Sequence, residues 1–393
     1  MRPGSGVSLE RSLDTDVHSC WIAALSLQNF RNYEIFHLEA DQRSVVLTGE
    51  NGAGKTNILE ALSLLTPGKG LRRAKNSDFA RVGSDSQNWS VSVIMKADEE
   101  VQVGTGVQSL ENLEDPRRIV KINHAVSPQT ALSEWVSVLW QTPQMDGLFD
   151  EGMGVQRKFL DRLVSTLFPE HTQHLYRYEH ALRERSRLLK EGSSEIKWIE
   201  ILEATIAQEG LAILSLRDVF LKELNPLCGT GVTNFPKVEI SLRGDLESWA
   251  DHMSSLEAEE KFQRSLLESR HQDTQFGGAK TGTHQTQVKV FHVAENKFAE
   301  VCSTGEQKAL LLGIMLANCR LHMKHHRRRP LLLLDEVVAH LDASRRASLF
   351  EEIEDLGVQA WFTGTDESIF LPLGEKAQFF KIHRAKIVPK IVN

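Results

Sequence analysis

Gly49, Glu50, Asn51, Gly52, Ala53, Gly54, Lys55 and Thr56 satisfy G-x-x-x-x-G-K-[ST] at every fixed position. That spacing lets successive backbone N–H groups curl around phosphate oxygens. A helix opening at this point, through Lys55, Thr56 and Asn57, adds its partly positive N-terminus. Lys55 would reach the β- and γ-phosphates as a point charge, and the Thr56 hydroxyl would ligate Mg²⁺. Far along the chain, Leu331 to Leu334 run into Asp335 and Glu336. A buried strand ending in two carboxylates beside a phosphate loop would hold Mg²⁺ through Asp335. It would also set Glu336 to orient or deprotonate the attacking water. Mg–ATP binding and hydrolysis is the chemistry these residues point to, with Lys55, Asp335 and Glu336 as its catalytic groups.

Most of the chain lies between Lys55 and Asp335, whereas a plain phosphate-loop kinase or small GTPase fits both motifs into one short domain. A third motif, Ser303 to Lys308 (Ser-Thr-Gly-Glu-Gln-Lys), opens a long apolar helix just before the Asp335 strand. Ser303 and Gly305 at a helix N-terminus make a second anion site. In ABC-type ATPases a motif so placed caps the γ-phosphate held by another subunit. Ser303 with Glu306 also fits a capping box, and the two roles are compatible.

The elements that must position these groups follow from periodicity. Trp21–Phe30 alternates as a strand, and Ser44–Thr48 is a β-branched run entering the glycine turn. Strands are also expected over Ser90–Met95, Arg118–Ile122 and Val136–Trp140, the first two separated by a polar, acidic, hairpin-like stretch. From Val155 to Leu221 the pattern is helical, cut by Pro169 and by the Glu191–Ser194 break, with no sustained heptad. Val238, Ile240 and Leu242 suit an edge strand. Asp251–Glu268 suits a helix, Gly277–Thr286 a loop and Gln287–Val293 a strand. The pattern then returns to alternating helix and strand through Gln378–Ile382. The expected fold class is α/β: a P-loop NTPase, an ABC-type ATPase head with a mixed sheet, carrying an inserted, mainly helical second lobe. The expected division is a disordered extension over 1–20, the ATPase lobe over 21–150 and 276–393, and the helical lobe over 151–275.

Composition limits the function classes. With 41% apolar and 25% charged residues, the chain is a globular protein rather than a disordered one. No apolar run approaches the length of a membrane span, so no membrane role is expected. Four separated cysteines, Cys20, Cys228, Cys302 and Cys319, fit a reducing cytoplasm and no zinc site. A formal charge of −7 requires any nucleic-acid contact to use a local patch. Two basic clusters qualify: Lys69, Arg72, Arg73 and Lys75, and a second over Lys324, His325, His326 and Arg327–Arg329. Either would give salt-sensitive, sequence-independent binding, unless it is simply a solvated loop.

The chain resembles the RecF family of bacterial recombinational-repair ATPases, relatives of SMC head domains, from Leu25 to about Asp366. The specific matches are NFRNY at Asn29–Tyr33, PGKGLR at Pro67–Arg72, RKFLDRLV at Arg157–Val164 and LRERSRLLK at Leu182–Lys190. The resemblance implies an ATP-dependent homodimer with nucleotide between Lys55 of one copy and Ser303 of the other. It further implies duplex or gapped DNA as ligand, partnership with RecR and RecO, and promotion of RecA loading in support of replication and the SOS response. Within the superfamily pattern, Gln144 or Gln141 would be the lid glutamine, with Gln144 taken first. Asp342 would lie in the loop crossing the dimer interface, or cap the next helix. Arg31 and Asn32 would flank the adenine, or form a surface turn. Departures also stand out. Lys308 replaces the usual Arg, Gly282-Thr-His284-Gln285 replaces Gly-Pro-His-Arg, and the switch histidine of transporters is absent after Gln359–Thr363. That absence and the inserted lobe argue against an ABC transporter subunit. The missing heptads argue against an SMC-like structural ATPase.

Overall fold

The computed structural model describes residues 19–108, 116–192, 195–232, 235–326 and 328–388. The expected extension, up to residue 18, and Arg327 of the second basic cluster lie outside the described residues.

Fifteen strands and eight helices are described. The strands are β1 (Trp21–Phe30), β2 (Tyr33–Glu39), β3 (Ser44–Thr48), β4 (Trp89–Lys96), β5 (Glu100–Val107), β6 (Ile119–Ile122), β7 (Ala125–Ser127), β8 (Val138–Gln141), β9 (Val238–Arg243), β10 (Gln287–His292), β11 (Lys297–Phe298), β12 (Leu331–Leu334), β13 (Ala360–Gly364), β14 (Ala377–His383) and β15 (Lys386–Val388). The helices are α1 (Lys55–Ser63), α2 (Met153–Leu167), α3 (His171–Lys190), α4 (Ile196–Leu224), α5 (Asp245–His252), α6 (Ser255–Phe276), α7 (Thr304–His325) and α8 (Ala343–Leu356).

The central sheet runs β15-β14-β3-β13-β12-β8 and is parallel except for β15. Its strands β3, β12 and β13 are buried along their whole length, as expected of a sheet covered on both faces. Alternate residues feed two cores. Val45, Leu47, Leu331 and Leu333 face the core that contains α1. Val46, Leu332 and Leu334 face the core built with α2, α7 and α8. Over the α1 side lies an antiparallel sheet, β2-β1-β4-β5-β6-β7. The acidic stretch expected between two strands holds β5, which pairs with β4 from Trp89↔Val107 to Lys96↔Glu100. Gly104 and Gly106, on its less buried face, lower its strand propensity in the sequence.

Helices α3, α4 and α6 enclose a third core, including Tyr178, Ile206, Ile213 and Phe262. Two buried ionic clusters brace it. Arg185 donates to Glu203 (2.9 Å) and Asp273 (2.8 Å). Asp161 accepts from Arg217 Nε and Nη2 (2.8 Å each) and bonds His171 (2.8 Å). The strand β9 is an edge, as its alternation predicts. It pairs with β10, well beyond α6 in the chain, in the small sheet β11-β10-β9.

Candidate nucleotide site

The phosphate loop leaves β3 between its parallel neighbours β14 and β13, so it emerges at the carboxyl edge of the sheet. Gly49 has φ 153°, and a Cβ there would collide with the Ile382 carbonyl oxygen. At Gly54, φ 114°, a Cβ would lie 2.6 Å from the Tyr33 hydroxyl and 2.7 Å from Asn32 Nδ2. Both positions therefore require glycine. The loop also carries Glu50, Asn51, Gly52 and Ala53, and it passes directly into α1 at Lys55.

Lys55 is buried, and its Nζ donates to the carbonyls of Gly49 (2.8 Å) and Glu50 (2.9 Å). Burial pushes its pKa down, while Glu336 and Asp335 pull it back up. Thr56 Oγ1 donates to Asp335 Oδ1 at 2.8 Å, joining α1 to the end of β12. Thr363, the fourth residue of β13, donates to the same oxygen at 2.7 Å and accepts the Glu336 N–H at 2.9 Å. The structure thus brings Lys55, Thr56, Asp335 and Glu336 together. Glu336 holds a left-handed backbone, φ 54°, which costs a non-glycine residue on the order of 1 kcal/mol. Thr56 and Asp335 offer hard oxygen donors, which suits Mg²⁺. Among the described residues no group of three or more acidic, His or Cys side chains gathers to hold a metal. The remaining ligands of such an ion would come from phosphate and water, as is usual for Mg²⁺.

Arg31 and Asn32 lie on the outer side of α1. Arg31 donates to Glu60 Oε2 (2.8 Å) and Oε1 (2.6 Å), and its guanidinium sits 4.9 Å from the Phe79 ring centroid. Asn57 donates to Asn32 (2.8 Å) and accepts from Arg72 (2.9 Å), and Arg72 also reaches Glu60 (3.1 Å). One buried carboxylate, Glu60, therefore serves both Arg31 and, from the first basic cluster, Arg72. Glu60→Gln is expected to lower the unfolding free energy by about 1–3 kcal/mol, as read by urea denaturation. Adding Arg31→Met should cost less than it does alone, because both changes break the same pair. Strict additivity in that double-mutant cycle would contradict the shared carboxylate.

The third motif stands apart. No hydrogen bond or ion pair joins Ser303, Gly305 or Asp342 to the Lys55–Asp335 cluster among the described residues. Ser303 is exposed and forms a capping box with Glu306 at the head of α7. Lys297 first, then the Ser303 backbone and hydroxyl, hold the Glu306 carboxyl down at about 2. Arg345 donates to the Gly305 carbonyl at 3.0 Å, and Lys308 pairs with Asp146 at 2.9 Å. Asp342 is exposed and caps α8, accepting the Arg345 N–H at 2.9 Å.

Gln144 is exposed on a short turn. Gln141 ends β8 with neither polar atom of its buried amide partnered, while its carbonyl accepts the Asp335 N–H at 3.0 Å. Strand alternation turns its side chain to the Leu139 face, away from α1. Lys69, Arg72, Arg73 and Lys75 are all exposed. In the second basic cluster, Lys324 and His325 both contact Glu223 (3.2 and 2.7 Å), and Arg328 lies over Trp135. Sequence reasoning missed Thr363 and Glu60. A hydroxyl closing a buried strand next to the phosphate loop was the available signal for Thr363. For Glu60 there was none, because it shares a face of α1 with Thr56, Asn57 and Ser63 and only packing buries it.

Residues 21–372 match the family described as RecF/RecN/SMC N terminal domain. The DNA replication and repair protein RecF of Mesorhizobium japonicum is 43% identical over 373 residues, covering 94% of this chain and 97% of its own. That of Rhizobium meliloti is 40% identical over 373 residues, covering 94% and 99%. Among solved structures, the recombination mediator protein RecF-ATPrS in the RecFOR pathway superposes with a TM-score of 0.81 at 22% identity, covering 95% of this chain and 99% of its own. The Smc head domain from Pyrococcus furiosus reaches 0.51 at 16% identity, covering 94% and 96%. The phosphate loop, the Thr56–Asp335 junction and these likenesses agree, and the chain belongs to the RecF family of DNA replication and repair proteins, ATPases of the SMC-like, ABC-type class.

Proposed function

We propose that the chain works as an ATP-gated clamp on DNA. ATP sits in the loop from Gly49 to Asn57, with Arg31 and Asn32 flanking the base. Ser303 and Gly305 of a second copy close on its γ-phosphate, and Asp342 lines the crossing between copies. Thr56 and Asp335 would hold Mg²⁺, which shields phosphate charge when bound. Lys55 exchanges its loop carbonyls for phosphate oxygens. Glu336, beside the phosphate end of the site, takes the proton of the attacking water, while Gln144 or Gln141 responds to the bound nucleotide. The closed dimer grips duplex DNA at single-strand gaps through Lys69, Arg72, Arg73 and Lys75. It acts in the cytoplasm with RecR and RecO to promote RecA loading, and so serves replication and the SOS response. The lobes 21–150 and 276–393 carry the chemistry, and 151–275 relays it.

The Thr56–Asp335 hydrogen bond is the observation that carries this reading. It joins two segments 279 residues apart at the point where a phosphate and its counter-ion would meet. The capping box at Ser303 and the N-cap at Asp342 leave both motifs on the surface, where a second copy can reach them. The test is sedimentation and duplex-DNA binding with ATP, with ADP and without nucleotide. A dimer and tight binding are expected with ATP alone. Changing Lys69, Arg73 and Lys75 together to Glu should weaken duplex binding and flatten its salt dependence by about three phosphate contacts, leaving ATP affinity unchanged. A monomer under all three conditions would sink the clamp, and an unaltered salt slope would remove the patch.

A further inference from the structure

A cavity of about 460 Å³ opens where the segment after α1 meets β8 and the start of the helical lobe. Pro67, Val138, Trp140 and Pro169 give it apolar walls, and Arg162 and Ser165 of α2 enter from one side. Its volume lies within the roughly 300–1,000 Å³ typical of small-molecule sites.

The unusual group is Arg162. Its guanidinium lies 4.5 Å from the Trp140 ring centroid and 5.4 Å from that of Phe159. Nη2 makes two long contacts, 3.4 Å to the Trp140 carbonyl and 3.6 Å to Met145 Sδ. No carboxylate pairs with it among the described residues. Burial, with repulsion from Arg73, pushes its pKa down to about 9, so it stays cationic at neutral pH. The fully buried arginines of the helical lobe are arranged differently: Arg185 has Glu203 and Asp273, and Arg217 has Asp161. Arg177, on the cavity rim, already pairs with Glu209. A half-buried cation without a counter-charge is costly unless something supplies one.

We propose that this cavity binds an organic monoanion, a carboxylate or sulfonate on a flat apolar body, with its charge against Arg162 and its body against Trp140, Val138 and Pro67. Among the described residues Arg162 is the one cation lining the cavity without a carboxylate partner, and it matches one negative charge. Apolar walls disfavour a polyphosphate or a stretch of DNA backbone, whose other charges would lose their water. The site is separate from the phosphate loop and does not depend on the nucleotide reading.

The full chain is titrated with anilinonaphthalenesulfonate, and the bound probe is displaced by naphthoate or by its neutral congener naphthamide. Saturable binding is expected, with naphthoate at least about tenfold the better competitor, the worth of one charge-assisted hydrogen bond. Arg162→Met keeps the apolar stem and should bring the two competitors level. Equal competition in the unsubstituted protein, or a preference that survives Arg162→Met, overturns the proposal. If Arg162→Met does not fold, Ser165→Trp, which fills the cavity from α2, should abolish probe binding with the circular dichroism unchanged. Probe binding that persists in that folded variant likewise overturns it.

Discussion

Lys55→Ala is expected to weaken ATP binding on the order of a hundredfold or more, and to leave duplex binding indifferent to ATP. The Lys55 ammonium is held out of water and draws its stabilisation from Asp335 and Glu336. Phosphates arriving in the loop would add hydrogen bonds between charged groups, each worth about 1.5–3 kcal/mol. Alanine removes those bonds. It also leaves two carboxylates facing the phosphates without the intervening positive charge, so repulsion adds to the loss. The fold should survive, because among the described residues Lys55 bonds only to carbonyls of its own loop. Fluorescent-nucleotide titration and a mobility-shift assay with and without ATP read the two effects. Normal ATP-dependent DNA binding in this variant would break the link between the phosphate loop and the clamp.

Asp161→Ala is expected to cost roughly 3–5 kcal/mol of stability, the usual penalty for stranding one member of a buried ion pair. The Asp161 carboxylate holds Arg217 through two bonds and His171 through a third, fixing α2 against α3 and α4. Without it, Arg217 keeps only the Thr283 carbonyl and the Thr286 hydroxyl as acceptors among the described residues. Burial by itself would raise the Asp161 pKa. Arg217 and His171 overcome that and hold it below its ordinary 3.8. A carboxyl with a depressed folded-state pKa stabilises the protein fully above the ordinary value, and the contribution fades as pH falls through the folded one. The stability gap between the unsubstituted protein and Asp161→Ala should therefore be widest near neutrality and shrink below about pH 4. Urea denaturation at pH 7 and at successively lower pH measures it. A gap that does not change with pH would mean that Asp161 acts through packing rather than charge.

These two residues were not equally visible in the sequence. Lys55 stands in a contiguous run whose glycines must adopt positive φ, so eight neighbouring residues fix the turn and its chemistry together. The buried strands β3, β12 and β13 were legible for the same reason, since unbroken apolar runs leave a strand no polar face. Strand β5 was obscured, because Gly104 and Gly106 on its less buried face lower its strand propensity and pairing with β4 overrides that. Asp161 was read as part of a family motif, and its chemistry was not foreseen. Its partners Arg217 and His171 come from two other helices, and no spacing along the chain announces them.

The sequence by itself determined the phosphate loop, the strand that delivers Asp335 and Glu336, and the caps at Ser303 and Asp342, all set by backbone preferences within a few residues. Tertiary structure alone decided that Thr363 would brace Asp335, that Glu60 would be shared by Arg31 and Arg72, and that Arg162 would face a cavity without a carboxylate. Those outcomes depend on which distant groups packing leaves within about 3 Å of one another, and that selection is made by the burial of whole elements rather than by any local run of residues.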